Sequence, residues 1–474
     1  MQAESRRPKS RDLLSGKKMQ AKWLVAEYTD GEERDWREED NQAKGRRNPT
    51  VPLLPSPPPS LELPRSKPGE NRQFRYRHEE CRLERITGLQ PRQRFESEAG
   101  VSEYFDSNEQ QLQCAGVTVI RRTIKKAASS SRQRQPFTDQ HQKIFDFRQG
   151  DVIAVPAGFV HWCYNNGDRP LVTITLLDTS SSANQLDSTH RQFMLAGSRQ
   201  KGETKEGSFS GGQLLRAFDT KLLAEALGVP EELAQKIQRE DSRGEMVMVS
   251  EGLKLIRSSS RSSGGEQEVA ERERETRDGA GDHNGLEEAL CAYRLRQNID
   301  NPRQADYFNP QAGWITKLSA QKLPILRRLR LSARRGVMRP RATLAPQWVI
   351  NAHDIVYVTK GRARVQVASD EGRAVHDGEL RQGQLLVVPQ NFVAIVSAEE
   401  EGFEWVTFKT NEDALDSQIA GKLSVFKGMP VDVIANAYRL SREEAFKLKF
   451  GRRDEIEIFE AYKPEKHAGR PYVE

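Results

Sequence analysis

Cysteine is scarce, with 4 among 474 residues, too few for a scaffold that depends on a dense disulfide framework. No stretch approaches the roughly 18 consecutive apolar residues of a membrane-spanning helix, so a soluble protein with no membrane partner is expected. Residues Met1 to Lys18 carry basic side chains but no apolar core of the kind a secretory leader has, and no export signal is expected there. Aromatic residues are only 7% of the chain, and its net charge of +6 is spread along the whole length. Without an aromatic-rich basic module, that charge does not point to a nucleic-acid partner. Hydrophobic residues are 36% and charged residues 30%, and the mean hydropathy is -0.75. Such a composition is too polar for one continuous core but normal for globular domains diluted by polar segments.

What the chain does contain is one module written twice. Arg148-Gln149-Gly150 leads through Pro156 to Phe159-Val160, and Arg381-Gln382-Gly383 leads at the same spacing through Pro389 to Phe392-Val393. Further on, Lys221 to Ile237 aligns without a gap with Asp432 to Leu448. A repeat of this length implies two homologous domains. The copies are unequal: 44 positions separate Tyr104 from Arg148, but 74 separate Tyr307 from Arg381. The first copy therefore lacks about 30 residues that the second has, a stretch corresponding to Asp354–Thr359 and Ala363–Ala368. Loss of two neighbouring mid-barrel strands predicts an open first module with unpaired edges.

The expected organisation is a disordered, partly proline-rich tail over 1–75, an N-terminal module with a helical arm over 76–256, a disordered linker over 257–284 and a complete C-terminal module with its own arm over 285–474. Short β-branched runs bounded by Gly, Pro, Asn and Asp predict strands at Val117–Ile124, Asp151–Pro156 and Leu171–Leu177. In the second copy the same reasoning predicts strands at Trp314–Thr316, Ile325–Leu331, Asp354–Thr359, Ala363–Ala368, Gln384–Val388, Ala394–Val396 and Glu404–Phe408. Many short strands at regular spacing indicate a mainly β fold of jelly-roll or barrel type. Each arm changes to helical periodicity. In the first, Asp219 or Thr220 is the N-cap, Gly228-Val229-Pro230 ends the helix, and Glu231 starts another.

Gly150, Pro156, Gly158, His161 and Asn165 fit the pattern G-x5-P-x-G-x2-H-x3-N, which resembles the second motif of the cupin superfamily. In those jelly-roll barrels the histidine is one ligand of a metal. A metal site needs three or four converging ligands, and the others would come from a preceding H-x-H-x3-4-E motif. Lys125 to Phe137 contains no such pattern, and the aligned positions of the second copy are Gln347, Val349 and Asp354, with Ala394 in the place of His161. The motif is degenerate, so no metal or other cofactor is expected, and His161 is read as packed at the barrel mouth.

After the linker come Asn284-Gly285-Leu286-Glu287-Glu288 and Cys291. An accessible Asn-Gly bond beside a polar segment is open to proteolysis. Together with Cys81-Arg82-Leu83, Gln113-Cys114-Ala115-Gly116, His161 to Asn166, Ala183 to Asp187 and Phe218-Asp219-Thr220, this arrangement resembles the 11S, legumin or glutelin type, seed storage globulins. The resemblance implies two cupin jelly-roll barrels, each followed by a helical arm, the first being incomplete. It implies cleavage between Asn284 and Gly285 by an asparaginyl endopeptidase, assembly of like or mixed subunits as trimers and then hexamers, and deposition in the seed storage vacuole. It also implies a Cys81–Cys114 disulfide worth about 3 kcal/mol from loop closure. Cys291 is left unpaired, because its expected partner falls in the missing stretch and Cys163 is a poor substitute. The function implied is nutrient storage without catalysis; the competing readings are a metal-dependent cupin enzyme and a ligand-binding bicupin.

Overall fold

In the computed structural model of the chain, residues 20–25, 81, 83–125, 147–157, 161–167, 169–180, 194, 214–239, 243–249, 294–452 and 454–461 are described. Among the described residues two sheets carry the fold. The first contains β1 (Gln20–Val25), β2 (Gln93–Ser97), β3 (Gly100–Tyr104), β4 (Val117–Ile124), β5 (Asp151–Val155), β6 (Leu171–Asp178) and β7 (Arg296–Asn298). The second contains β8 (Tyr307–Asn309), β9 (Gly313–Leu318), β10 (Ser332–Met338), β11 (Thr343–Val349), β12 (Asp354–Ala368), β13 (Ala374–Arg381), β14 (Leu385–Val388), β15 (Val393–Lys409), β16 (Asp416–Gln418) and β17 (Ile458–Phe459).

The duplication is visible in the strand order. The first sheet runs β2-β3-β4-β6-β1-β5-β7, while the second runs β8-β9-β10-β15-β12, with β14 also on β12. Strands β4 and β10 are equivalent, as are β6 and β15, and β5 and β14. The β-branched content of β4 (VTVIRRTI) suits a pleated strand, buried on both faces over Val117–Ile120 and half-buried from Arg121 to Ile124. Strands β12 and β15 form one long antiparallel ribbon from Asp354↔Lys409 to Ala368↔Val393, bent by register shifts near Lys360 and Gly361.

One expectation needs correction, and three placements were not expected. The run Ile325–Leu331 contains a short helix, Leu326–Leu329, and the strand begins only at Ser332. Ile325, Leu326 and Leu329 are all buried while Arg327 and Arg328 are exposed, the i, i+1, i+4 spacing of a helical face rather than the alternation of a strand. Within the expected structureless tail, Gln20–Val25 is a strand. It lies between β5 and β6. Lastly, β7 falls in the expected second module but pairs with β5 of the first sheet, Asp151↔Asn298 to Ile153↔Arg296. The linker over 257–284 lies outside the described residues.

The modules also exchange in the other direction. Ile86 donates its N–H to the Val375 carbonyl, Leu89 exchanges hydrogen bonds with Leu385, and Leu83 and Ile86 are buried in the core of the second sheet. A further core joins both sheets, with Val119, Val152, Ile174 and Leu176 packed together with Ile355, Leu385, Val406 and Phe408. Each such side chain contributes about 1.5–3 kcal/mol when withdrawn from water, so the main apolar reserve of the molecule sits between its two copies.

Candidate functional site

The five-position motif of the first module is structural where it is described. Gly150 has a φ of 84°, and a Cβ there would stand 2.0 Å from the Asp300 Cβ. Only glycine satisfies both demands. Pro156 is buried at the end of β5. Asn165 is buried and donates from Nδ2 to the carbonyls of Ile124 (3.1 Å) and Arg169 (2.9 Å), while its Oδ1 accepts from the Gly167 N–H (3.0 Å). His161, expected to pack at the barrel mouth, is exposed instead, as is its neighbour Trp162. The loop 161–167 is held by Asn165 rather than by a strand ladder, which leaves its beginning at the surface. Cys163 is a free thiol whose pKa burial pushes up to about 12, against the opposing pull of Arg122. It stays protonated at neutral pH and is a weak nucleophile. Gly158, Asn284, Gly285 and Cys291 lie outside the described residues.

In the second barrel, a cavity of about 40 Å³ is lined mainly by apolar side chains such as Val349, Leu386 and Trp405, with Arg334, Gln347 and Asp354 among its polar lining. It has room for a few water molecules and falls far below the roughly 300 Å³ of an ordinary small-molecule pocket. The positions aligned with metal ligands do not fit a metal. Gln347 offers an amide, Val349 and Ala394 offer no donor, and the Asp354 carboxylate is engaged by two cations, Lys409 Nζ at 3.3 Å and Arg334 Nη2 at 3.4 Å.

These contacts belong to a larger buried network. Arg334 also reaches Glu457 Oε1 at 3.3 Å. Lys317 Nζ lies 2.8 Å from Asp416 Oδ2 and 3.2 Å from Glu457 Oε2, and Lys409 pairs with Asp416 as well. Three cations thus meet three carboxylates drawn from β9, β10, β12, β15, β16 and the approach to β17. Burial works against the Asp416 charge, but Arg334, Lys409 and Lys317 outweigh it and hold the carboxyl well below the usual carboxylate range. Burial likewise opposes the Arg334 charge and is overcome by Asp416, Asp354 and Glu457. None of these residues except Asp354 was singled out in the sequence, although Arg334-Arg335 inside an otherwise apolar strand is the signal that could have found them.

Cys81 and Cys114 form a disulfide with their Cα atoms 5.1 Å apart. Both pack against the second-sheet core, so the bridge pins the segment carrying Leu83, Ile86 and Leu89 onto the opposite module. Among the described residues, the one grouping of His, Cys, Asp and Glu close enough to share a metal is Cys81, Cys114 and His353. The disulfide consumes two of its three donors.

The arms repeat in register. Helices Thr220–Leu227 and Glu231–Gln238 correspond to Val431–Tyr438 and Arg442–Phe450. Asp219 is the N-cap of the first, its side chain accepting from the Leu222 N–H, and Gly228 closes it with a φ of 65°. At the equivalent place in the second arm Arg439 adopts the same left-handed conformation, with a φ of 55°. Exposed apolar side chains recur at equivalent positions: Leu214 with Val425, Leu222 with Val433, and Leu227 with Tyr438. No helix among the described residues is long and apolar enough to cross a membrane.

Known proteins match this architecture. The family profile described as Cupin covers residues 129–201 and 297–445. Cocosin 1 of Cocos nucifera is 45% identical over 425 residues, spanning 80% of this chain and 89% of the relative. Glutelin type-A 1 of Oryza sativa subsp. japonica is 41% identical over 437 residues, with 80% and 88% covered. The crystal structure of procruciferin, an 11S globulin from Brassica napus, matches with a TM-score of 0.70 at 35% identity, covering 81% of this chain and all of that one. Duplicated barrels, repeated arms and this degree of identity give one conclusion: the chain belongs to the 11S seed storage globulins.

Proposed function

We propose that the protein is a seed storage reserve, a non-catalytic deposit of nitrogen and carbon that assembles with copies of itself or with other storage globulin subunits. The observation that carries the assembly is the recurrence of exposed apolar residues on both arms, at Leu214, Leu222 and Leu227 and again at Val425, Val433 and Tyr438. Large apolar side chains grouped at the surface mark protein–protein contact sites. The same pattern on two faces of one chain suits a head-to-tail ring, in which one arm meets the other arm of the next copy. Trimers that pair into hexamers are the assembly this reading carries, and the storage vacuole is its compartment.

The enzyme and ligand-binding alternatives lack support at the place where the fold would host them, because Gln347, Val349 and Ala394 supply no ligand set and Asp354 is tied to Lys409 and Arg334. Cleavage between Asn284 and Gly285 by an asparaginyl endopeptidase completes the proposal. Measuring the protein through seed filling and germination tests it. Storage expects abundant accumulation during filling and loss during germination; a constant low level in all tissues would contradict it.

A further inference from the structure

The second sheet places β12 between β14 and β15, antiparallel to both. The first copy lacks the residues that would form the equivalent strand, yet the slot between its equivalents β5 and β6 is filled. Its occupant is β1, paired from Gln20↔Val172 to Leu24↔Leu176 on one side and from Lys22↔Val152 to Val25↔Val155 on the other. Strand β1 runs parallel to both neighbours. It therefore enters the slot in the opposite sense to β12, and replaces that strand in position without being its sequence equivalent.

The slot is not a peripheral one. Val152, Ala154, Ile174 and Leu176, on the strands flanking it, are essentially inaccessible to solvent and belong to the core shared with the second module. Strands buried in this way cannot leave a row of N–H and C=O groups unpaired without a large desolvation cost. An open slot would also leave two template edges for any extended chain.

We infer that Gln20–Val25 is an intramolecular replacement strand: this segment of the N-terminal region occupies the position vacated by the missing mid-barrel strand and closes the first sheet between β5 and β6. The inference is independent of the storage reading, since it concerns how this shortened copy folds rather than what the protein is for.

Amide hydrogen exchange on the intact chain tests it directly. Residues 20–25 are expected to exchange at least tenfold more slowly than an unstructured peptide of the same sequence; exchange at the unstructured rate overturns the assignment. A variant lacking residues 1–25 is expected to lose protection selectively at Asp151–Val155 and Leu171–Asp178, with β12 and β15 as internal references, and to regain it on addition of a synthetic peptide spanning residues 16–29. Unchanged protection of β5 and β6 in that variant also overturns the inference. Should the deletion unfold the whole chain, exchange at residues 20–25 of the intact protein still decides. Protection there that disappears on dilution to the monomer would place the strand of a second copy in the slot and contradict the intramolecular assignment.

Discussion

Gly150 has a packing role that its place in a metal-site motif does not suggest. Asp300, from the segment joining the modules, lies against it, accepts from Gln149 Nε2 at 3.1 Å and pairs with Arg335 Nε at 2.9 Å. Gly150→Ala would bring a Cβ to 2.0 Å from the Asp300 Cβ in a left-handed backbone conformation. It is expected to destabilise the chain by at least about 2 kcal/mol, measured as a fall in the denaturant midpoint. Asp416 sets a pH dependence. Its pKa is depressed in the folded chain, so its contribution is fully present above the unfolded value of about 4 and is lost as pH falls toward the folded value. Acid titration followed by near-ultraviolet circular dichroism should show the second module loosening below about pH 4, and Asp416→Asn should flatten that transition. At this scale Gly150 and Pro156 were legible because turn chemistry is local, whereas Asn165 was legible only as a motif position and its hydrogen bonds were not. The partners of Asp354 were not, because Lys409, Arg334, Asp416 and Glu457 are far apart in sequence and only the fold brings them together.

Secondary-structure elements were legible where their own residues decide them. The β-branched run at Val117–Ile124 is a strand over those same residues; the N-cap of the first arm is Asp219, one of the two positions the sequence allowed, and Gly228 closes that helix as expected. The run Ile325–Leu331 carries Arg327, Arg328 and Arg330, and its buried Ile325, Leu326 and Leu329 follow helical rather than alternating spacing, a period already legible in the sequence. Strand β7, Arg-Gln-Asn, has no strand signature of its own and forms through its partner β5. The second arm offers two tests. Arg439 holds a left-handed conformation where the first arm has Gly228, so Arg439→Gly should stabilise by about 0.5–1 kcal/mol. Ser441 forms a capping box with Glu444, and Ser441→Ala should cost about 1 kcal/mol; thermal melts of the two variants should move in opposite directions. Replacing Cys81 with Ser removes a bridge worth about 3 kcal/mol. Because the bridged segment lies on the opposite module, faster amide exchange should appear around Val375 and Leu385 as well as near Cys114.

For the molecule as a whole, the repeat established two related modules, but their mutual embrace was not readable from it. Leu83, Ile86 and Leu89 of the first module pack on the second, and Arg296–Asn298 crosses back to the first sheet. A repeat shows likeness between segments and is silent about exchange between them. The arms carry this logic outward: apolar positions that neither module covers recur on both, and assembly would bury them. Sedimentation equilibrium of the purified full chain measures that assembly. Storage assembly through the arms predicts a mass three or six times the 53.8 kDa of one chain, falling to that of one chain when Leu222→Asp and Val433→Asp are combined. A single species of 53.8 kDa at every concentration of the unaltered protein would contradict it.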